Sequence, residues 1–188
     1  RAMGCWSILI IVLLLSVVGL HSSSLLQENG HVAGSGFKIG AGIYDITGPA
    51  AEVNMMGYAM PQQRTKGIHF RTRARAFVII DANGKRIAYV SGDICMCFQA
   101  VKMEVIPRLQ KKLGTIYTAD NVLISGIHTH AAPAGFSWRV LYDVTSLGFN
   151  KRNFDAIVDG IVAAIEQAHH MAESSAGGDR ITAAEGEL

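Results

Sequence analysis

Residues 72–93 read TRARAFVIIDANGKRIAYVSGD, and this stretch decides the fold. Thr72–Asp81 and Lys85–Asp93 are both strand-like, with apolar residues recurring at period 2. Between them lies Ala82-Asn83-Gly84. Asn-Gly between two such runs is the strongest short-range hairpin signal, because both residues tolerate positive φ. An antiparallel pair is therefore expected in the middle of the chain.

The pattern changes on the C-terminal side. From Phe98 to Leu113 apolar residues recur at Val101, Val105, Leu109 and Leu113, with Lys102, Arg108, Lys111 and Lys112 on other faces. That is helical spacing. Pro107 would kink this helix or sit in the first turn of a shorter one, and Gly114 suits its C-cap. Asn121–Ile127 then reads as a buried strand. Strand, helix, strand in this order favours a parallel pair joined by a crossover helix. A last helix is marked by the stripe Phe154, Ile157, Val158, Ile161, Val162, Ile165 and Ala168, with Asn150 or Asn153 as its cap.

On the N-terminal side, Phe37–Ile46 reads as a half-buried strand ended by Thr47-Gly48-Pro49. Residues 50–70 (AAEVNMMGYAMPQQRTKGIHF) show no period, and a long loop is expected there, functional or part of a binding rim. The expected fold class is mixed α/β (α+β), without internal repeats.

Cys5–Leu20 (CWSILIIVLLLSVVGL) carries no charge and follows the positive Arg1. It falls short of the roughly 20 apolar residues that span a bilayer. Residues 1–24 are expected to be a secretory signal peptide or an uncleaved signal anchor, and residues 25–36 a flexible linker. Either reading puts the protein in the secretory pathway, secreted or associated with the ER, Golgi or plasma membrane. The net charge of +2 over 188 residues gives no footprint for a nucleic acid.

The chemistry concentrates in His128-Thr129-His130, which follows the last strand run and precedes Ala131-Ala-Pro133-Ala-Gly135. In extended backbone, imidazoles at i and i+2 leave the same face. One ring can then bind a metal while the other holds substrate or a transition-state charge. The small residues that follow let backbone amides approach a ligand. Other candidates carry two readings each. His69 could reach the site or be structural. Asp93 could accept an imidazole N–H or cap the following turn, and Asp45 has the same ambiguity. His169-His170 is expected to interact with the dipole at the end of the last helix. Cys95 and Cys97 are too close in sequence to bridge each other without strain, so they are buried thiols, or one has its partner elsewhere. The chain has no Gly-x-Ser-x-Gly elbow, no His-Glu-x-x-His helix and no phosphate loop.

Three motifs in order resemble one family. They are Gly42-Ile-Tyr-Asp45-Ile-Thr-Gly-Pro49 with Asn54-Met-Met-Gly57-Tyr58, then Gly67-Ile-His69-Phe-Arg71, then Ser125-Gly-Ile-His128-Thr-His130-Ala-Ala-Pro133-Ala-Gly135. The family is that of the neutral (neutral/alkaline, non-lysosomal) ceramidases, in a plant-like form, over roughly residues 37–171. The resemblance implies the N-terminal part of a larger mixed-sheet zinc hydrolase domain. Its implied reaction is cleavage of the N-acyl bond of ceramide to a sphingoid base and a free fatty acid, with a membrane surface as the source of substrate. It implies His128 as a ligand of Zn2+ and His130 as the catalytic, substrate-binding imidazole. It also implies a second His, a Glu, a Tyr and an essential Ser whose motifs do not occur here. Residues 37–173 are thus expected to be a partial catalytic domain. Residues 174–188 match no family motif and are expected to be a divergent, disordered tail. A catalytically inactive secreted or membrane-tethered fragment is the competing expectation, and a serine-type lipid hydrolase with incidental histidines a third.

Overall fold

The Asn-Gly hairpin forms where the sequence places it, in a computed structural model that describes residues 36–186. The expected signal segment and all of the linker except Gly36 lie outside the described residues, as do His21 and His31. In chain order the strands are β1 (Lys38–Asp45), β2 (Ala51–Asn54), β3 (Arg64–Lys66), β4 (Arg73–Ile80), β5 (Arg86–Gly92) and β6 (Val122–Gly126). The helices are α1 (Gln99–Leu113), α2 (Val140–Asp143) and α3 (Lys151–Ser174). All of them lie in one compact unit, Ser35–Asp179. Of the second unit, Arg1–Gly34 with Arg180–Leu188, only residues 180–186 are described, and they carry no helix or strand.

β4 and β5 pair antiparallel. Their turn is closed by the Gly84 N–H donating to the Asp81 carbonyl at 3.0 Å. The Asp81 carboxylate accepts the N–H groups of Asn83 at 2.9 Å and Lys85 at 2.8 Å. Of the Asn-Gly pair only Gly84 takes positive φ (78°), so the turn relies on one left-handed residue rather than two. The main sheet has the order β1-β4-β5-β6, with β1 antiparallel to β4 and β6 parallel to β5. α1 is the expected crossover between the parallel pair.

Alternation decides which face is covered. Ala74, Ala76, Val78 and Ile80 of β4, with Ala88 and Val90 of β5, are buried under the helices. α3 lies very close to β1, because a Cβ at Gly40 or Gly42 would collide with the carbonyl oxygens of Ala168 or Ala164. The outward N–H groups of β1 are also covered. Ile39 donates to the Asp179 carboxylate (2.8 Å), Ala41 to the Met171 sulfur (3.3 Å) and Ile43 to the Gln167 side chain (3.2 Å). An edge strand satisfied in this way offers no template for further pairing. On the opposite face Ile43, Phe77, Ile87, Tyr89 and Leu123 are exposed.

Two local expectations are corrected. Residues 50–70 are not one irregular loop, because β2 and β3 form a small antiparallel sheet with a register shift between Ala51 and Asn54. Strands of four and three residues are too short to show a period. Pro107 does not start a shorter helix. It lies inside α1, exposed, and the helix runs on to its Gly114 C-cap. α3 is capped by Asn150, whose side chain accepts the Asn153 N–H at 3.1 Å.

Candidate metal centre

Parallel pairing of β5 and β6 brings their C-terminal ends to one edge of the sheet, where ligands bind in open α/β sheets. The two loops that leave there are tied together. Ile127 N–H donates to the Gly92 carbonyl (3.1 Å) and His128 N–H to the Ile94 carbonyl (3.2 Å). A Cβ at Gly126 would lie 2.7 Å from the Ile94 carbonyl oxygen, so the loops approach this closely because residue 126 is glycine.

The His-x-His pair does not sit on extended backbone. β6 ends at Gly126, and His128 is left-handed, with φ of 63°. The rings still meet, with centroids 5.0 Å apart and planes at 68°. A tight turn, rather than the period-2 rule, brings them together. His128 Nδ1 lies 3.0 Å from the Cys95 carbonyl oxygen. That oxygen can only accept, so Nδ1 carries the proton and Nε2 keeps the lone pair that a metal needs.

His130 is positioned by the β2–β3 unit. Met56 N–H donates to the Ala132 carbonyl (3.2 Å), and Ala134 N–H to the Asn54 carbonyl (2.9 Å). Tyr58 packs edge-on against the His130 ring, with centroids at 4.8 Å. Gly57 lies against the same ring, where any Cβ would come within 2.7 Å of it. Asn153, buried at the start of α3, donates to the carbonyls of Pro133 (2.8 Å) and Ala134 (2.9 Å). The loop after the histidines is thereby fixed from both sides.

The third member of the cluster is Cys95. Ligand atoms of Cys95, His128 and His130 all lie within 4.8 Å of one another. Zinc bonds of about 2.3 Å to sulfur and about 2.0 Å to nitrogen put two donors of one tetrahedron about 3.5 Å apart. Two imidazoles and a thiol at this spacing fit a borderline-soft ion such as Zn2+ and do not suit Mg2+ or Ca2+, which prefer oxygen. The set is one donor short of a closed four-coordinate site.

The remaining candidates fall elsewhere. His69 packs on Phe70 and lines a cleft of about 580 Å³ bordered by Thr47, Ala131 and Pro133, outside the cluster. Asp93 serves neither expected role. Its carboxylate accepts the Arg73 N–H (2.9 Å) and pairs with Arg75 (2.7 Å), which anchors the start of β4. Burial pushes the Asp45 carboxyl up, but hydrogen bonds from Thr47 and Arg71 outweigh it and hold it below its ordinary value. His169 is not at a helix end. It is buried within α3 with Nδ1 3.1 Å from the Tyr117 hydroxyl, and burial lowers its pKa. Among the described residues Cys95 and Cys97 form no disulfide. Burial pushes the Cys95 thiol up, and it pushes Cys97 up to about 11 against the pull of Lys102.

A mixed sheet with a histidine loop and a buried thiol at the ends of its parallel strands defines an α/β protein with a cluster of candidate metal ligands at its strand ends. A family model described as "Neutral/alkaline non-lysosomal ceramidase, N-terminal" matches residues 37–186, and the chain belongs to that family. The match continues past Ser174. Neutral ceramidase A of Dictyostelium discoideum is 55% identical over 183 residues, covering 95% of this chain and 25% of the relative. Neutral ceramidase 1 of Arabidopsis thaliana is 55% identical over 145 residues, covering 77% of this chain and 19% of the relative. The crystal structure of neutral ceramidase from Pseudomonas aeruginosa superposes with a TM-score of 0.70 at 48% identity, over 72% of this chain and 22% of that one. The chain thus spans a quarter or less of the length of these relatives.

Proposed function

We propose that the chain is the N-terminal part of the catalytic domain of a zinc-dependent amidohydrolase that cleaves the N-acyl bond of ceramide to a sphingoid base and a fatty acid. The observation that carries this is the His128–His130 arrangement. His128 is locked through Nδ1 to the Cys95 carbonyl, with Nε2 free, and a second imidazole lies 5.0 Å away in a chain of this family. Zinc, when bound, would polarise the amide carbonyl and lower the pKa of a bound water. His128 would hold the metal, and Cys95 O fixes its tautomer. His130, held by Gly57 and Tyr58, would face the substrate and bind its polar head or the developing oxyanion. With His130 given to the substrate, the chain has too few donors to hold a catalytic metal, so on its own it is expected to show no turnover, as in the inactive-fragment reading. A membrane surface would present the ceramide, and the secretory pathway is the proposed location.

Exchanging residues 37–173 into Dictyostelium neutral ceramidase A tests the assignment in a complete enzyme. The chimera should hydrolyse a fluorescent ceramide. His128→Ala should abolish turnover with loss of bound zinc, and His130→Ala should lower turnover with zinc retained. A His128→Ala chimera as active as its parent would sink the proposal. Secretion of a reporter fused after residues 1–36 tests the location, and a reporter left in the cytosol would contradict it.

A further inference from the structure

We propose that the cleft between the start of α1 and the Ser137–Tyr142 turn binds a long-chain fatty acid by its carboxylate end. This rests on the reading above, in which a fatty acid is the product, and it gives that acid a place of its own. The cleft measures about 440 Å³, within the roughly 300–1,000 Å³ of small-molecule sites. One wall follows β5 and the other follows the histidine loop after β6, so both walls leave the strand-end edge that carries His128. Phe98, Met103, Trp138 and Tyr142 supply the apolar lining. The Phe98 ring is fixed by Phe136 and Tyr142, with centroids at 5.0 Å and 5.1 Å. Arg139 is the one charged group of the lining, and no lining side chain is acidic. Among the described residues its guanidinium makes one side-chain hydrogen bond, to Gln99 Oε1 at 3.4 Å.

Charge and shape decide the ligand class. A cation without an acid partner in an otherwise apolar cleft complements an amphipathic anion. A planar guanidinium takes a planar carboxylate through two parallel N–H···O bonds, and the Gln99 amide can add a further donor. The acyl chain would lie on Trp138, Tyr142 and Met103. Trp138 has a φ of 64°, an outlier for a bulky aromatic residue. The Ser137 hydroxyl holds that turn, accepting the Arg139 N–H at 2.9 Å and donating to the Arg139 carbonyl at 3.1 Å. Ser137 N–H in turn donates to the buried Asp143 carboxylate at 3.2 Å. Strain of this kind persists where the surroundings over-determine it, and it clusters at ligand clamps. Here it sets two residues adjacent in sequence, Trp138 and Arg139, into one cleft.

The test uses the 188-residue chain and 9,10-dibromostearic acid below its micelle concentration. The chain has two tryptophans, Trp6 and Trp138, so a Trp6→Phe variant reports on Trp138 alone. The brominated acid should quench its fluorescence and saturate at one equivalent. Arg139→Gln should weaken the acid at least about tenfold, because a hydrogen bond to a charged group is lost. The methyl ester of the same acid should be weaker by a similar factor. Met103→Asp should abolish quenching, with the far-ultraviolet circular dichroism unchanged. Equal binding of acid and ester, or an Arg139→Gln variant that binds like its parent, would overturn the proposal and leave a merely apolar surface. Quenching that appears only with phosphatidylcholine vesicles present would overturn it in favour of a membrane contact. A dimer in sedimentation that Met103→Asp breaks and fatty acid leaves intact would assign the cleft to a second copy instead. In the chimera described above, Met103, which is 58% exposed in this chain, should stay open to peroxide oxidation. Shielding of Met103 there without fatty acid would show that the rest of the longer protein covers the cleft, and would also overturn the proposal. Quenching in this chain beside a chimera that fails to hydrolyse ceramide would support the site and count against the enzymatic reading alone. The reverse pattern would overturn the site alone.

Discussion

Gly57 and His130 show how much of the site depends on single side chains. Gly57 has a φ of 112°, which L residues rarely adopt, and its missing Cβ is the space the imidazole occupies. Gly57→Ala should cost about 1–3 kcal/mol through backbone strain. It should also push the His130 ring off Tyr58. Urea unfolding and the His130 imidazole NMR shifts read the two effects separately. An unchanged midpoint with unmoved shifts would show that the contact carries neither. The histidine pair is legible in the sequence because i, i+2 imidazoles are unusual after an apolar run. Cys95 is not. It stands 33 residues from His128, and only the parallel pairing of β5 with β6 makes them neighbours. The available signal was positional: both residues closely follow the ends of strands expected to be parallel.

Within the secondary-structure elements, local chemistry and packing make opposite demands. Pro107 sits in the interior of α1, exposed, where it has no N–H to give the Met103 carbonyl. Pro107→Ala should therefore stabilise the protein by about 1–3 kcal/mol, reduced by the entropy that proline removes from the unfolded chain. A thermal midpoint that falls would show that the proline conformation is needed by the packing of α1 on α3. At the β1–α3 contact the effect has the reverse sign. Gly42→Ala places a methyl against the Ala164 carbonyl and should destabilise by about 1–3 kcal/mol or more, read as a lower urea midpoint. The hairpin and both long helices were readable because their periods persist over many residues; β6 was read from its apolar run, but it is only partly buried, with Leu123 and Ile127 exposed. The β2–β3 unit was not. Its order comes from contacts such as the buried Asn54 side chain donating to the Met60 (2.9 Å) and Gln63 (3.3 Å) carbonyls, and no periodicity records these.

For the molecule as a whole, the titrating groups set a pH window for stability. His169 is buried between α3 and Tyr117. Burial, the largest influence, lowers its pKa from 6.5, with His170 and Arg86 pushing the same way and Glu173 opposing. The fold therefore prefers the neutral ring. Its contribution is complete above pH 6.5 and is lost as pH falls through the lowered folded value. Glu173, held down chiefly by its hydrogen bond to Arg86, and Asp155, held down chiefly by Lys151 and then Arg108, add to the loss at lower pH. The thiols act at the other end. The Cys97 thiol is raised from 9.0 to about 11, so the fold prefers the protonated form. That preference is fully present below pH 9.0 and is lost as pH rises toward about 11, because the unfolded chain ionises first. Stability should therefore plateau between about pH 6.5 and 9.0 and decline on both sides. Urea midpoints across this range, on metal-free protein, measure it. Cys97→Ser should shrink the alkaline decline and leave the acid limb alone, whereas His169→Gln should soften the first part of the acid limb. A midpoint that stays constant from pH 9 to 11 would show that the buried thiols do not couple to folding.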